Sequence, residues 1–280
     1  MSWRMRVRHH TGYAYPTPAR SSYNEARMTP MTSGGQHLLE MSLDITPGTS
    51  PLRYVDYWGT VVHAFDVHQP HTSLTVTATA VVETAEAVAD PARIGWTELR
   101  RSRVRDRFTE LVSPSRYVVS EPEVSAVGAE LAATLAPVEA GRQAVQWTHD
   151  QLDYERGTTE VHTTSAQARS ARGGVCQDYT HVALALLRSM HLPARYVSGY
   201  VHSTRDAAIG EQTSGESHAW VEFWAGTWLP FDPTSLAPVA ERHIAVARGR
   251  DYADVRPLSG IYRGPKSECL DVSVQITRLR

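Results

Sequence analysis

A single predicted helix constrains the fold of this 280-residue chain more than any other feature of its sequence. The segment GGVCQDYTHVALALLRSMHLP covers residues 173–193, and its apolar residues recur at spacings of three and four, as on one buried face of a helix. Pro193 ends this helix, and Cys176 lies in its first turn. Unpaired backbone N–H groups and the helix dipole favour negative charge there, and so favour a thiolate. The sequence therefore predicts a buried helix with an ionisable cysteine at its start.

A glycine pair precedes this cysteine. Gly173 and Gly174 carry no Cβ, so another backbone or an extended substrate can approach closely, and Gly174 is a candidate substrate-binding residue. A free cysteine is, however, often an inert buried residue. A catalytic role for Cys176 therefore requires a base and an acid that orients the base.

Two segments downstream supply candidates for both. ESHAWVEFW predicts a strand with His218 and Trp220 on one face, and TWLPFDPT predicts a second strand that follows a short turn. A two-residue loop would place Asp232 on the opposite face from His218. A three-residue loop would place Asp232 opposite Trp220, about 7 Å from His218 on the same face. We predict the three-residue loop, with Gly226 in the bulge.

If these residues meet, they form a nucleophile, a base and an orienting acid. His218 would take the thiol proton of Cys176, and Asp232 would fix the imidazole tautomer. The thiolate would attack an amide or ester carbonyl and form a thioester, which water or an amine then resolves. The backbone N–H of Cys176 would hold the oxyanion together with a second donor that the sequence does not identify.

The remaining chain divides into a β-rich part and a mixed part. Alternating runs such as SLTVTATAVVET predict a sandwich-like β domain over residues 1–85, followed by a connection over 86–106. Residues 107–280 then form an α+β core. Within this core, SEPEVSAVGAELAATLAP predicts a helix that begins at Ser120, in capping-box spacing with Glu123.

The motifs GVCQD, SHAWVE and FDPT, in this order, resemble the bacterial transglutaminase-like branch of the papain-like cysteine enzyme superfamily. The resemblance extends to HHTGYAYPTPARSSYNEARMTP, which is similar to the transglutaminase-like N-terminal region of that branch. It implies a core in which the nucleophile's helix packs on an antiparallel sheet. Gln177 matches the family motif after the nucleophile and is a candidate substrate-binding residue, as is Tyr154 by its position before the nucleophile. Trp220 is a candidate for the wall of the cleft, with aromatic packing in the core as the alternative. Ser235 stands where the family often has an asparagine, which leaves one hydrogen bond to the triad open.

The activity expected from the triad and the resemblance is hydrolysis or acyl transfer at an amide bond of a peptide or protein substrate. A peptidase or amidase is favoured over cross-linking, because no site for a partner amine is evident in the sequence. Transglutaminase-type transamidation stays an alternative, as does acyl transfer from a thioester in the manner of the related arylamine acetyltransferases. A further alternative is a non-catalytic binding scaffold that retains the fold.

Composition narrows the class of partner. The formal charge is −2 and no block of like charge or long apolar run occurs, so neither nucleic acid nor a membrane is an expected partner. None of the 13 histidines has a convincing metal-ligand spacing, so no metal or cofactor is expected. Two cysteines make no disulfide framework, which favours the cytoplasm. The sequence leaves the oligomeric state open.

Overall fold

The computed structural model of the chain describes residues 2–85, 94–215, 217–267 and 269–280. Its strands are β1 (Ser2–Ala26), β2 (His37–Thr46), β3 (Leu52–Val55), β4 (Val61–Val67), β5 (His71–Ala85), β6 (Asp153–Tyr154), β7 (Gly173–Gly174), β8 (Ala194–Val201), β9 (Gln212–Gly215), β10 (His218–Trp224), β11 (Trp228–Phe231), β12 (His243–Gly249), β13 (Leu258–Arg263) and β14 (Cys269–Arg278). Its helices are α1 (Trp96–Leu99), α2 (Ser102–Arg107), α3 (Thr109–Val112), α4 (Pro122–Thr134), α5 (Pro137–Gln151), α6 (Ser165–Ala171), α7 (Cys176–Ser189) and α8 (Tyr252–Val255).

The N-terminal part is organised around β1, a strand of 25 residues. Its first half pairs with β5 and β14, and its second half pairs with β4 and β13. The pairing with β5 is irregular between Ala14 and Ala19, where the strand passes from one half to the other. The two halves enclose an apolar cluster that includes Tyr15, Phe65 and Leu74. The sandwich-like arrangement expected for this region is therefore present as one long, curled antiparallel sheet.

The second part has helix α7 packed on an antiparallel sheet in the order β11-β10-β8-β12. The apolar positions of α7 are buried, and Leu184, Leu186 and Leu187 are among the most completely enclosed side chains. Their cluster continues into the N-terminal sheet through Trp3 and Met5. The predicted α+β class, with the cysteine's helix on an antiparallel sheet, is confirmed.

Strand pairing joins the expected N-terminal domain and the expected core at the C-terminal side. Strand β14 pairs with β1 from Met5 to Ala14, and β9, which lies between β8 and β10 in sequence, pairs with β14. Strands β13 and β14, which the sequence assigned to a core over 107–280, thus belong to the sheet that β1 organises. The physical reason is that β1 has β5 on one edge, and its other edge would otherwise expose unpaired backbone groups. Residues 86–93 of the expected connection lie outside the described residues, and α1 and α2 occupy the rest.

The first long helix begins two residues later than predicted. The N-cap of α4 is Glu121, and Ser120 makes no capping contact. Pro122 takes the first helical position, where its fixed φ suits a helix and its missing N–H has no cost. Pro137 starts α5 in the same way. Across the described ranges, no helix combines the length and the apolar character that crossing a membrane would require.

Candidate active site

The hairpin of β10 and β11 has the predicted three-residue loop. Trp224 pairs with Trp228, which leaves Ala225, Gly226 and Thr227 in the turn. Gly226 adopts a φ of 106°, a left-handed conformation that glycine reaches without a steric penalty. The prediction is therefore confirmed, and Asp232 lies on the same face of the sheet as His218.

His218 and Asp232 are hydrogen-bonded at a distance of 2.9 Å between Nε2 and Oδ2. The side chain of Asp232 is buried and accepts two backbone N–H groups at Oδ1, from Thr234 at 2.9 Å and from Ser235 at 3.3 Å. The Ser235 hydroxyl donates to Oδ2 at 2.6 Å. The residue that departs from the family pattern thus makes the hydrogen bond that the sequence had left open.

For each of these two residues, burial and the neighbouring charged groups shift the pKa in opposite directions. Burial on its own lowers the pKa of His218, but hydrogen bonds to Asp232 and to the Cys176 sulfur, with the charges of both groups, raise that pKa to about 10. Burial on its own raises the pKa of Asp232, but the hydrogen bonds from His218 and Ser235, with the nearby His243, hold that pKa far below its usual value. At neutral pH the pair is therefore an imidazolium beside a carboxylate.

Cys176 begins α7 and is half-buried, with its sulfur at the His218 ring. The start of the helix is fixed by Asp178, whose Oδ2 accepts the Val175 N–H at 2.9 Å and the Thr159 hydroxyl at 2.7 Å. Asp178 is 1% exposed, so it acts inside the protein and not on a substrate. The helix, its cap and the hairpin together bring Cys176 and His218 to one cleft, with Asp232 bonded to His218.

Gly174 has a structural reason to be glycine. A Cβ at this position would lie 2.6 Å from Oδ2 of Asp178 and 2.7 Å from its Cβ, whereas a Cβ at Gly173 would meet side-chain atoms of Glu155 and Thr158 at 3.4 Å. The missing Cβ of Gly174 therefore makes room for the carboxylate that caps the nucleophile's helix.

This difference gives a matched pair of variants. Gly174→Ala is expected to lower the free energy of unfolding by about 1–3 kcal/mol, the range for overpacking a filled site. Gly173→Ala should lose less, because a Cβ there would meet the side chains of Glu155 and Thr158 only at an ordinary contact distance. Urea denaturation of both variants measures the difference. Equal losses would show that the close approach of Asp178 is not what requires Gly174.

His243 on β12 is a neighbour of the triad that the sequence did not reveal. Its Nε2 lies 3.8 Å from Oδ2 of Asp232, and its Nδ1 accepts the Ala240 N–H at 3.3 Å. Burial lowers the pKa of His243, so the ring is neutral and, with Nδ1 an acceptor, carries its proton on Nε2. No spacing along the chain links His243 to Asp232, because pairing of β12 with β8 brings them together.

The possibility of a metal at this position can be tested on the same contacts. One nitrogen each from His218 and His243 and an oxygen of Asp232 lie within 4.8 Å of one another. A metal on Nε2 of His243 would move the proton to Nδ1, which could then no longer accept the Ala240 N–H. These contacts therefore favour His243 as a third neighbour of Asp232 over a metal centre at this position.

An open cleft of about 710 Å³ runs past the thiol. Of the predicted substrate-binding residues, Gln177 and Tyr154 line it, and Tyr154 is 53% exposed. Trp220 does not line it: its ring is 2% exposed and packs edge-on against His243, at 5.4 Å between centroids. Trp220 shares a face with His218, but His218 is at the strand end and Trp220 is two residues further into the sheet, so Trp220 packs in the core, which was the alternative for this residue.

Comparison with known proteins agrees with this fold and site. Residues 5–83 match the bacterial transglutaminase-like N-terminal region, and residues 125–233, which include all three predicted triad residues, match the transglutaminase-like superfamily. The uncharacterized protein ML0607 of Mycobacterium leprae is 48% identical over 277 residues, covering 99% of both chains. The chain belongs to the transglutaminase-like superfamily, in the bacterial group with this N-terminal region.

Two further proteins are similar to parts or all of the chain. A crystal structure from Cytophaga hutchinsonii, described as a "putative cysteine protease", has a TM-score of 0.75 at 22% identity, covering 100% of this chain and 93% of that one. A protein-glutamine gamma-glutamyltransferase of Pseudomonas aeruginosa is 35% identical over 102 residues, which is 33% of this chain and 15% of that protein. The first likeness shows that the two chains share a fold.

Proposed function

We propose that the protein is a thiol-dependent hydrolase of amide bonds in peptide or protein substrates, with a Cys176–His218–Asp232 triad. The observation that carries the proposal is that Cys176 and His218 line the same cleft, and that the His218 ring is held by a buried carboxylate. Such a thiol needs no cofactor to attack a carbonyl. A cytoplasmic location stays an expectation from the cysteine content.

In the proposed reaction the thiol proton already lies on His218 before the substrate binds, as a thiolate–imidazolium pair. Because Nε2 of His218 bonds to Asp232, its Nδ1 is the atom that exchanges protons with Cys176. The thiolate attacks the amide carbonyl carbon, and the imidazolium gives its proton to the departing amine, leaving a thioester. His218 then removes a proton from water, the hydroxide attacks the thioester, and the thiolate leaves as the free acid is released.

The Tyr196 hydroxyl supplies the second oxyanion donor in this proposal. Tyr196 on β8 lines the cleft beside Cys176, and its hydroxyl has no acceptor among the residues described. Burial, and then the charge of a Cys176 thiolate, raise the pKa of Tyr196 well above its ordinary value, so the group stays a donor. Together with the Cys176 backbone N–H, it would bind the negative oxygen of the tetrahedral intermediate.

Transamidation is the second candidate, favoured by the partial likeness to a protein-glutamine gamma-glutamyltransferase. It differs only in the nucleophile that resolves the thioester: an amine replaces water. Hydrolysis is preferred because the charge and contacts around the thiol offer no carboxylate that would bind the ammonium group of an amine substrate; apart from the histidines, the cleft carries one permanently charged residue among those described, Arg156.

A peptide library with and without a primary amine tests both candidates. The library contains peptides with internal glutamine and with other residues, and mass spectrometry separates cleaved or deamidated products from amine adducts. We expect hydrolysis products in both conditions, and none after Cys176 has been blocked with iodoacetamide. Amine adducts as the main product would support transamidation instead. A thiol that is alkylated while no peptide reacts would favour the binding scaffold.

A further inference from the structure

The N-terminal sheet forms one wall of the cleft. Every second residue of two neighbouring strands faces it: the lining residues are His9, Thr11 and Tyr13 on β1, and Val272, Val274 and Ile276 on β14. Alternate side chains of a strand share a face, so one continuous face of the sheet is turned to the nucleophile. The N-terminal region is thus part of the substrate cleft and not a separate appendage.

The inner end of this wall is fixed to the catalytic core. Nδ1 of His9 is hydrogen-bonded to the Tyr200 hydroxyl at 2.8 Å, and Val274 and Ile276 are buried in the apolar cluster that the core shares. Burial, and then the neighbouring His10, lower the pKa of His9 to about 4, so the ring is neutral at physiological pH. The width of the cleft is therefore set by packing, and the wall carries no positive charge at this end.

The outer end of the wall is open and apolar. Tyr13 and Val272 are half-buried there, as are Tyr252, Pro257 and Leu258, which face them from the core side of the cleft. Burial is the largest influence on the pKa of Tyr252 and raises it, while the charge of Arg256 lowers it. Tyr13 and Cys176 also raise this pKa, so Tyr252 connects the group to the nucleophile. These five side chains are called the apolar subsite below.

A charged side chain would be poorly placed in the apolar subsite. None of its five members is formally charged, so a charged side chain would lose hydration there without gaining a partner among them. A large apolar side chain would instead cover aromatic and aliphatic surface. The chemistry of the subsite therefore discriminates by the character of one substrate side chain.

We infer that the apolar subsite binds a large aliphatic or aromatic side chain of an extended peptide whose adjacent amide is presented to Cys176. The inference rests on the proposed function, and it narrows the substrate class from any amide to a peptide with an apolar residue next to the reacting bond. It also assigns the N-terminal sheet a share of substrate specificity.

The test uses binding, so that it does not depend on turnover. Fluorescein-labelled peptides that differ only in one residue, phenylalanine, alanine or aspartate, are titrated with the Cys176→Ala protein, and binding is followed by fluorescence anisotropy. We expect the phenylalanine peptide to bind at least about 10-fold more tightly than the aspartate peptide, on the scale of pocket discrimination between side chains. Equal binding of the two peptides would overturn the inference.

Variants of the wall locate the effect. In the same background, Tyr13→Ala and Val272→Ser should each reduce the preference for phenylalanine, and Tyr13→Phe should retain it. Tyr23→Ala is the matched control, because Tyr23 lies on the same strand, is 46% exposed and does not line the cleft. A loss of preference in Tyr23→Ala equal to that in Tyr13→Ala would contradict the assignment.

The outcome also separates this inference from the proposed function. Selective binding of the phenylalanine peptide, combined with no turnover by the unmodified protein, would contradict the hydrolase and support the subsite. Turnover without any dependence on the varied residue would support the hydrolase and overturn the subsite.

Discussion

Asp232→Asn is expected to lower kcat about 10⁴-fold while KM changes little, the loss that removal of the charged member of such a triad produces. Asparagine is nearly isosteric, so the hairpin and the 2.9 Å contact with Nε2 of His218 can persist. What is lost is the negative charge that stabilises the imidazolium and selects the tautomer with Nδ1 toward the thiol. Steady-state kinetics on the best peptide of the library measure the effect.

The pH profile distinguishes this role from a structural one. The folded-state pKa of His218 is raised to about 10, so the imidazolium that protonates the leaving amine persists through neutral pH and is lost as the pH rises through about 10. In Asp232→Asn the alkaline limb of kcat/KM should move to lower pH, toward the ordinary histidine value of about 6.5. Ser235→Ala removes the hydroxyl's hydrogen bonds to Asp232 and from the Ala237 N–H but no charge, so it serves as the control and should leave that limb nearly in place.

The pairing of His218 with Asp232 also makes the stability of the protein depend on pH, and stability should fall over the same alkaline range as activity. Because the folded-state pKa of His218 exceeds its unfolded value, the contribution of His218 to the free energy of unfolding is fully present below about pH 6.5 and is lost as the pH rises toward 10.

If Asp232→Asn kept kcat within about 10-fold of the unmodified protein and left the alkaline limb unchanged, the carboxylate would not be part of a triad.

The parts of the site that depend on local periodicity could be predicted from the sequence. The helical spacing after Cys176 predicted the buried face of α7, and strand parity tied the length of the hairpin loop to the face on which Asp232 lies. Both arguments use only the direction in which successive side chains point, which is a property of the backbone. They therefore needed no knowledge of the rest of the fold.

The parts that depend on long-range pairing could not be predicted in this way. His243 lies near Asp232 because β12 pairs with β8. Strand β14, near the C-terminal end of the chain, lines the cleft because it pairs with β1 at the N-terminal end. The residue pattern of neither strand indicates which other strand it pairs with. The apolar subsite, to which β1, β14 and Tyr252 contribute, could not be predicted from the sequence for the same reason, although each of the two strands could.

Local signals also failed where two of them competed. Ser120 and Glu123 have the spacing of a capping box, yet the proline between them begins α4, because its ring already has the dihedral angle of a first helical residue. Trp220 shares a strand face with His218, but face alone does not say how far along a strand a cleft extends. In both cases the sequence pattern predicted the correct kind of element but not where along that element the residue lies.

Tyr196→Phe is expected to lower kcat about 10²–10³-fold, the loss that follows removal of one oxyanion donor. The change deletes a single hydroxyl, and since that hydroxyl has no acceptor among the described residues, no hydrogen bond of the folded protein is broken. The donor acts on charge that develops only in the tetrahedral intermediate, so KM should hardly change. Kinetics on the same peptide, with the rate of iodoacetamide alkylation of Cys176 as a second readout, measure both expectations.

Tyr200→Phe is the matched control for this prediction. Tyr200 lies on the same strand and the same face as Tyr196 and is also buried, but its hydroxyl bonds to His9 and does not line the cleft. A structural effect of losing a phenol would thus be at least as large in Tyr200→Phe. Alkylation forms no oxyanion, so its rate should be the same in both variants and in the unmodified protein. A kcat of Tyr196→Phe no lower than that of Tyr200→Phe would exclude Tyr196 as the second donor and leave the backbone N–H of Cys176 without this partner.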